Sequence, residues 1–481
     1  MRVFMLGWEF PPFISGGLGT ACYGLTKALS GQHAGVTFVL PKTIDSDYSS
    51  HVKLLSPQAP QAASGDRAPA SVSSTYEIDA PVKPGDAAED VFENVSFRAV
   101  PSRFSSPYAG GASVASRGED SENASGGGGQ ISFINAQASI PQPPPLTSPA
   151  SADASVDEPA YESPSPARGA DAPDYDGDLT AEAHRYADLC VALAAGEDFD
   201  VVHAHDWLTF PAGVAVARAT GKPLVVHVHS TEYDRSGEHG NSIVRDIEHH
   251  GCHAAARIIA VSRRTKAVLV ERYDLPDDKI EVVYNGIENG SANPDIKIPP
   301  KIAKDDKIVL FLGRVTMQKG PEYFIRAAKR VLEKMDRVKF VVAGTGDKIQ
   351  ELIEMVARAG IGPKVVFTGF LRGDDVERVY KMADVYVMPS VSEPFGIAPL
   401  EAISHDVPVI MSKQSGVSEV IEHALKVDFW DTDEMANKII AVLRHPPLGA
   451  TMREHADLEV RKLTWEGAAA KCLEVYETVT G

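Results

Sequence analysis

Two carboxylates, Glu393 and Glu401, bracket the stretch Pro394-Phe395-Gly396-Ile397-Ala398-Pro399-Leu400. Carboxylates beside an anion site do not bind its phosphates, but they accept hydrogen bonds from the hydroxyls of a sugar or a ribose. Pro399 suits the first turn of a helix, where no N–H is needed, and the helix should run to Ser404, before Pro408 opens the next strand. Glu393 is therefore expected on a loop and Glu401 in the first helical turns. Upstream, Gly313-Arg314-Val315-Thr316-Met317-Gln318-Lys319-Gly320 offers a planar guanidinium fork and a mobile ammonium on a glycine-bounded loop. That pairing suits a diphosphate, although two surface cations in a loop would look the same. Gly344-Thr345-Gly346 could let backbone approach a nucleotide, or be a plain turn.

These groups need strands that deliver them to one rim. Val385-Tyr386-Val387-Met388 leads into the Glu393 loop, Lys307 to Leu312 into the Arg314 loop, and Val338 to Ala343 into Gly344. Strands alternating with amphipathic helices make a doubly wound parallel sheet, whose ligands bind at the carboxyl ends of the strands. The N-terminal half repeats the pattern. Arg2 to Leu6 is a strand, Gly16-Gly17-Leu18-Gly19 a turn, Thr20 a candidate helix cap, and Val36 to Leu40 the next strand. Only part of a dinucleotide fingerprint is present, which leaves a Rossmann dehydrogenase as a minor alternative. Val201-Val202-His203-Ala204-His205-Asp206-Trp207 and Leu224 to Val228, ending at His229, are further strands with polar rims.

The fold class expected is α/β, with two Rossmann-like domains and an insertion in the first. Residues 1–104 and 177–290 form the N-terminal domain, 291–463 the C-terminal one, and 464–481 a helix capped by Thr464 that could pack back on the first. From 105 to 176, ten acidic residues face two arginines amid runs of Gly, Pro, Ser and Ala. Too few large apolar groups remain there to offset ordering entropy, so a disordered, dispensable insertion is expected.

Across 481 residues the hydrophobic content is 43% and the formal net charge −19. That charge argues against nucleic acid or an anionic membrane surface as partner. No apolar run is long enough to span a bilayer. Four scattered cysteines without a Cys-x-x-Cys pair fit a reducing cytoplasm. His203 and His205 share one strand face, but no carboxylate or cysteine completes a metal set. His249, His250 and His253, with Asp246 and Glu248, read as a solvated helix face. Asp45-Ser46-Asp47 and Asp431-Thr432-Asp433 read as turn or cap residues. No metal and no cofactor are expected.

With these residues in place the chain resembles the retaining GT-B glycosyltransferases, the branch with family 4 enzymes and the bacterial and archaeal glycogen and starch synthases. The resemblance rests on the Glu393/Glu401 pair, Gly313-Arg314 with Lys319-Gly320, His203-Ala204-His205-Asp206-Trp207, and Pro11-Pro12 followed by Gly16-Gly17-Leu18. It implies that Arg314 and Lys319 hold the diphosphate of a nucleotide sugar and stabilise the leaving nucleotide. Gly16, Gly17, Gly344, Gly346, Phe395 and Gly396 would line the donor site. Glu393 would bind the donor sugar, Glu401 the ribose, His229 the region of the reacting carbon, and Asp206 the acceptor side. The implied reaction transfers a hexose, with glucose favoured, from an ADP- or UDP-sugar to a glucan or other sugar hydroxyl, with retention and without a metal. Ile14 stands where the glycogen and starch synthases carry a lysine, which favours the broader family 4 over a polymer synthase. Trp8-Glu9-Phe10-Pro11-Pro12 leans back towards the archaeal synthases. A family 4 transferase for small-molecule or lipid-linked acceptors, a phosphorylase, an epimerase and a non-catalytic nucleotide-sugar sensor are the alternatives.

Overall fold

The computed structural model describes residues 1–10, 17–43, 94–102, 175–288 and 306–481. Strands β1 (Arg2–Leu6), β2 (Gly35–Thr43), β3 (Val95–Ser102), β4 (Val201–His205), β5 (Leu224–Val228), β6 (Arg257–Ala260) and β7 (Ile280–Val282) form one parallel sheet. Its order is β3-β2-β1-β4-β5-β6-β7. A second parallel sheet has the order β10-β9-β8-β11-β12-β13, built from β8 (Lys307–Leu312), β9 (Val338–Ala343), β10 (Val365–Gly369), β11 (Val385–Met388), β12 (Val409–Ser412) and β13 (Leu425–Val427). In each sheet the order reverses beside the first strand, between β1 and β4 and between β8 and β11. Connections leave those neighbours towards opposite faces, which opens a crevice at their carboxyl ends.

Helices α1 (Gly17–Gly31), α2 (Tyr175–Ala194), α3 (Phe210–Thr220), α4 (Glu232–Ser236), α5 (Ser242–Ala254) and α6 (Arg263–Tyr273) belong to the first sheet. The second carries α7 (Pro321–Leu332), α8 (Ile349–Arg358), α9 (Asp374–Met382), α10 (Ala398–Ser404), α11 (Thr432–Arg444) and α12 (Pro446–Val460). Covered on both faces, the strands are near-continuous apolar runs, and every residue of β4, β5, β11 and β12 is buried. The last helix, α13 (Trp465–Thr480), packs on α1 of the first domain. The Thr464 hydroxyl caps it by accepting from the Gly467 N–H at 3.1 Å. Trp465 lies flat on Gly24 of α1, where a Cβ would sit 2.2 Å from the indole.

Two expectations need correction, and one strand adds to them. Helix α1 starts at Gly17, not Thr20, because Leu18 joins the apolar face that packs on the core beneath it. Strand β3 was not anticipated, although Val95-Ser96-Phe97-Arg98 shows the alternation of an edge strand. Helix α2 opens at Tyr175, inside the segment expected to be disordered; the remainder of that segment, residues 289–305, Asp45, Asp47 and Gly16 lie outside the described residues.

Candidate functional site

The cationic loop and the glutamate loop are neighbours because β8 and β11 are neighbours. Lys319 Nζ lies 2.5 Å from Glu393 Oε2, and the buried Ser390 hydroxyl donates to the same oxygen at 3.0 Å. The two loops are also fixed to each other through backbone. Val391 N–H donates to the Gln318 carbonyl at 2.9 Å, and Gly320, at φ 61°, leaves no room for a Cβ, which would stand 2.3 Å from the Pro389 carbonyl. The neighbouring β9 turn supports the Arg314 loop from its other side. Val315 N–H donates to the Thr345 carbonyl, and a Cβ on Gly344 or Gly346 would meet the carbonyl of Gly313 at 1.9 Å or of Val315 at 2.3 Å. These two glycines are thus needed for loop-on-loop packing, whatever a nucleotide requires of them. Arg314 itself is exposed.

Glu401 sits on the first turn of α10 and its carboxylate accepts from the Tyr380 hydroxyl at 2.9 Å. Burial raises its pKa, and the tyrosine bond pulls the other way. Gly396, at φ 103°, turns the chain between the two glutamates, with a Cβ position 3.1 Å from Glu393 Cγ; Phe395 is buried beside it. The pair therefore divides: Glu393 shares its charge with Lys319 on the loop, and Glu401 is tied to α9 by the tyrosine.

Across the cleft, the β4 and β5 rims place His229 beside Asp206. The Asp206 carboxylate accepts from the backbone N–H of His229 at 2.7 Å and of Ser230 at 3.3 Å, and Asp206 itself takes a left-handed φ of 56°. Burial pushes its pKa up to about 7 against these bonds and the charge of Arg235. Asp206, expected beside the acceptor, thus braces the turn that carries His229. Two further residues in this wall were not read from the sequence: Glu9 and His227. Glu9, just after β1, is buried with its carboxylate against the backbone of Gly19 in the first turn of α1; burial raises its pKa and the charge of Arg314 lowers it. His227 completes a patch of four rings with His203, His205 and His229, since the β4–β5 register sets His205 against His227. His203, His205 and His227 could each offer one ring nitrogen, all within 4.8 Å of one another. Their rings, however, lie nearly parallel, at interplanar angles of 21°, 17° and 29°. A metal sits in the plane of each imidazole it binds, so stacked rings aim their lone pairs side by side rather than at one point. Their counterpart on α5 also differs from expectation. Glu248 is buried and bonded to Arg235, Tyr273 and the Glu232 N–H, not part of a solvated face.

The two walls are joined at the cleft edge. Ser392, next to Glu393, donates to Asp234 at 2.6 Å, and Asp234 completes a capping box with Thr231, two residues after His229. Ser262 donates to the Pro394 carbonyl at 2.5 Å. Glu419 reaches from the second domain to cap α6, accepting from the Arg263 and Arg264 N–H groups at 3.0 and 2.8 Å. The structure therefore gathers Arg314, Lys319, Glu393 and the His229 turn around one crevice.

Two doubly wound domains facing each other across such a crevice define a GT-B glycosyltransferase fold. Similarities to known proteins agree along the chain. Residues 293–458 match the family described as Glycosyl transferases group 1, 156–289 match Glycosyltransferase Family 4, and 2–83 match the Starch synthase catalytic domain. An uncharacterized glycosyltransferase of Methanocaldococcus jannaschii is 34% identical over 297 residues, covering 58% of this chain and 76% of the relative. Among solved structures, the sucrose-phosphate synthase of Thermosynechococcus elongatus superimposes with a TM-score of 0.66 at 17% identity, over 99% of this chain and 98% of its own. The Anabaena protein HepE, in complex with UDP and glucose, superimposes with a TM-score of 0.62 at 16% identity, over 99% of this chain and 100% of its own. The chain belongs to the group 1 and family 4 glycosyltransferases. Among the described residues no helix is long and apolar enough to cross a membrane.

Proposed function

We propose that this glycosyltransferase moves a hexose, glucose first among the candidates, from a nucleotide diphosphate sugar to a sugar hydroxyl with retention at the anomeric carbon. The observation that carries the proposal is the Lys319–Glu393 contact at 2.5 Å, on loops of the two strands that flank the switch point. In this reading Lys319 and Arg314 take the diphosphate and stabilise the negative charge that develops as the nucleotide leaves. Glu393, freed from part of its contact with Lys319, accepts from hydroxyls of the donor sugar, and Glu401 accepts from the ribose. Gly17, with open space around its Cβ position, leaves the α1 N-terminus accessible on the phosphate side. The leaving phosphate receives the acceptor's proton, so neither a metal nor a dedicated base is required. The UDP and glucose held by HepE support a nucleotide-sugar donor. Four free, buried cysteines accord with a cytoplasmic enzyme.

The test is a panel of ADP-, UDP- and GDP-glucose with maltooligosaccharide, with and without EDTA, and product anomers read by NMR. An α-linked product formed equally in EDTA is expected. No transfer and no donor hydrolysis with any member would refute the proposal. Ile14, in the place of the lysine of polymer synthases, favours a second acceptor class, a small polyol or lipid-linked glycan. Donor hydrolysis without elongation of maltooligosaccharide would select it.

A further inference from the structure

His205 and His229 form a hydrogen bond of 2.9 Å between His205 Nδ1 and His229 Nε2. A neutral imidazole has one N–H and one bare nitrogen, so only two proton arrangements satisfy this contact. If His229 donates from Nε2, His205 must carry its own proton on Nε2. That nitrogen is buried and has no hydrogen-bond partner among the described residues. If His205 donates from Nδ1, its buried Nε2 is a bare lone pair, and His229 must carry its proton on Nδ1. A buried N–H with no acceptor is the rarer and costlier outcome. His205 is held in place for this task. It stacks on His203 at 4.3 Å and lies 5.2 Å from His227, and Thr209 donates to its carbonyl at 2.8 Å. His203 is in turn fixed by the hydroxyl of Tyr476 on α13. The His229 backbone is fixed independently by Asp206.

We infer that His205 is a positioning residue that locks His229 in the tautomer protonated on Nδ1, which makes His229 a neutral hydrogen-bond donor to the sugar and not a base. With Nε2 engaged by His205, Nδ1 is the ring nitrogen left for a ligand in the half-buried His229. An Nδ1 that already bears a proton can donate to a sugar oxygen but cannot take the acceptor's proton. The inference deepens the proposed function and rests on it for the identity of the ligand as a sugar; the tautomer itself does not.

The experiment uses the full chain labelled with 15N at both histidine ring nitrogens, with the His229 signals assigned from their loss in His229→Asn. Wild type should show His229 protonated at Nδ1 with Nε2 bare. His205→Phe keeps a stacked ring but removes the donor, and should shift His229 towards the Nε2 tautomer. His205→Asn places an amide N–H near the lost Nδ1 and should restore the Nδ1 tautomer. In the glucose-donor panel, His205→Phe should lower kcat/KM about tenfold with an unchanged melting temperature, and His205→Asn should recover most of it. Wild-type His229 protonated at Nε2, or a tautomer indifferent to His205→Phe, overturns the inference. If His205→Phe does not fold, the wild-type spectrum alone decides. Failure of wild type to use any nucleotide sugar would refute the proposed function while leaving the spectrum to decide the tautomer.

Discussion

Mild acid should destabilise the first domain, because of the histidine patch. Burial and the neighbouring rings hold His205 and His227 well below the usual histidine range, and burial pushes His203 down to about 3. All three are essentially fully buried. In the unfolded chain each takes up a proton below about pH 6.5, and in the folded chain none does until far lower. The unfolded state therefore binds more protons, and the stability present above pH 6.5 is lost as the pH falls. At pH 5 each neutral histidine costs about 2 kcal/mol relative to pH 7, or about 6 kcal/mol for the three. Asp206 works in the opposite sense. Its folded pKa of about 7 means that its burial penalty is relieved as the pH falls from 7 to 5. That returns about 2 kcal/mol, and the raised carboxyls of Glu9 and Glu248 trim the loss further. The histidines still win, by up to about 4 kcal/mol, a large part of a typical domain stability of about 5–15 kcal/mol. Burial also pushes the fourth ring of the patch, His229, down to about 3, so calorimetry from pH 7.5 to 5 should show a steadily falling melting temperature and a net uptake of about two to three protons on unfolding near pH 5.5. His227→Phe should reduce that uptake by about one. A melting temperature independent of pH across this window, or histidine C2 signals that all titrate near 6.5, would refute the reasoning.

Removing either cation of the site should lower turnover without unfolding the protein: Lys319→Ala and Arg314→Ala are each expected to cost about 10²- to 10³-fold in kcat. Unchanged rates in both would mean that the phosphates bind elsewhere. Gly346→Ala would put a Cβ 2.3 Å from the Val315 carbonyl, about an ångström inside normal contact, and must displace the loop that carries Arg314. Its donor KM should rise about tenfold or more while the melting temperature falls modestly, and wild-type kinetics would show that the loop tolerates the shift. Glu419→Ala removes the cap that the second domain places on α6 and leaves Tyr284 without this partner. Loss of a charged cap is worth about 1–2 kcal/mol, so small-angle scattering should show a more open pair of domains, and no change in dimensions would argue against a role in closure.

The parts of this molecule that were legible in its sequence are those set by period and punctuation. Buried parallel strands are continuous apolar runs, so β1, β8, β9 and β11 could be placed within a residue or two. Gly313, Gly320 and Pro399 mark where each chain segment turns at the rim, and with the strands they place Arg314, Lys319 and Glu393 at one edge. What stayed hidden depended on register between segments far apart in the chain. His227 on β5 and His229 just past its end are spaced as His203 and His205 are on β4, but only the pairing of His205 with His227 makes four rings one patch. Period 2 on each strand was visible, and an attempt to pair the two strands could have found the patch. Glu248 shows the opposite limit. Among histidines and an aspartate on α5 it looks solvated, and its burial follows from Arg235 and Tyr273, contributed by two other helices. The Asp234–Ser392 and Glu419–α6 bonds are of the same kind, since each joins residues more than 150 positions apart. A short polar side chain at a helix end is read locally as a cap or as nothing. Which domain supplies its partner is decided by how the two sheets face each other, and these contacts, unlike the strands, hold the crevice in the shape that lets Lys319 and Glu393 act on one ligand.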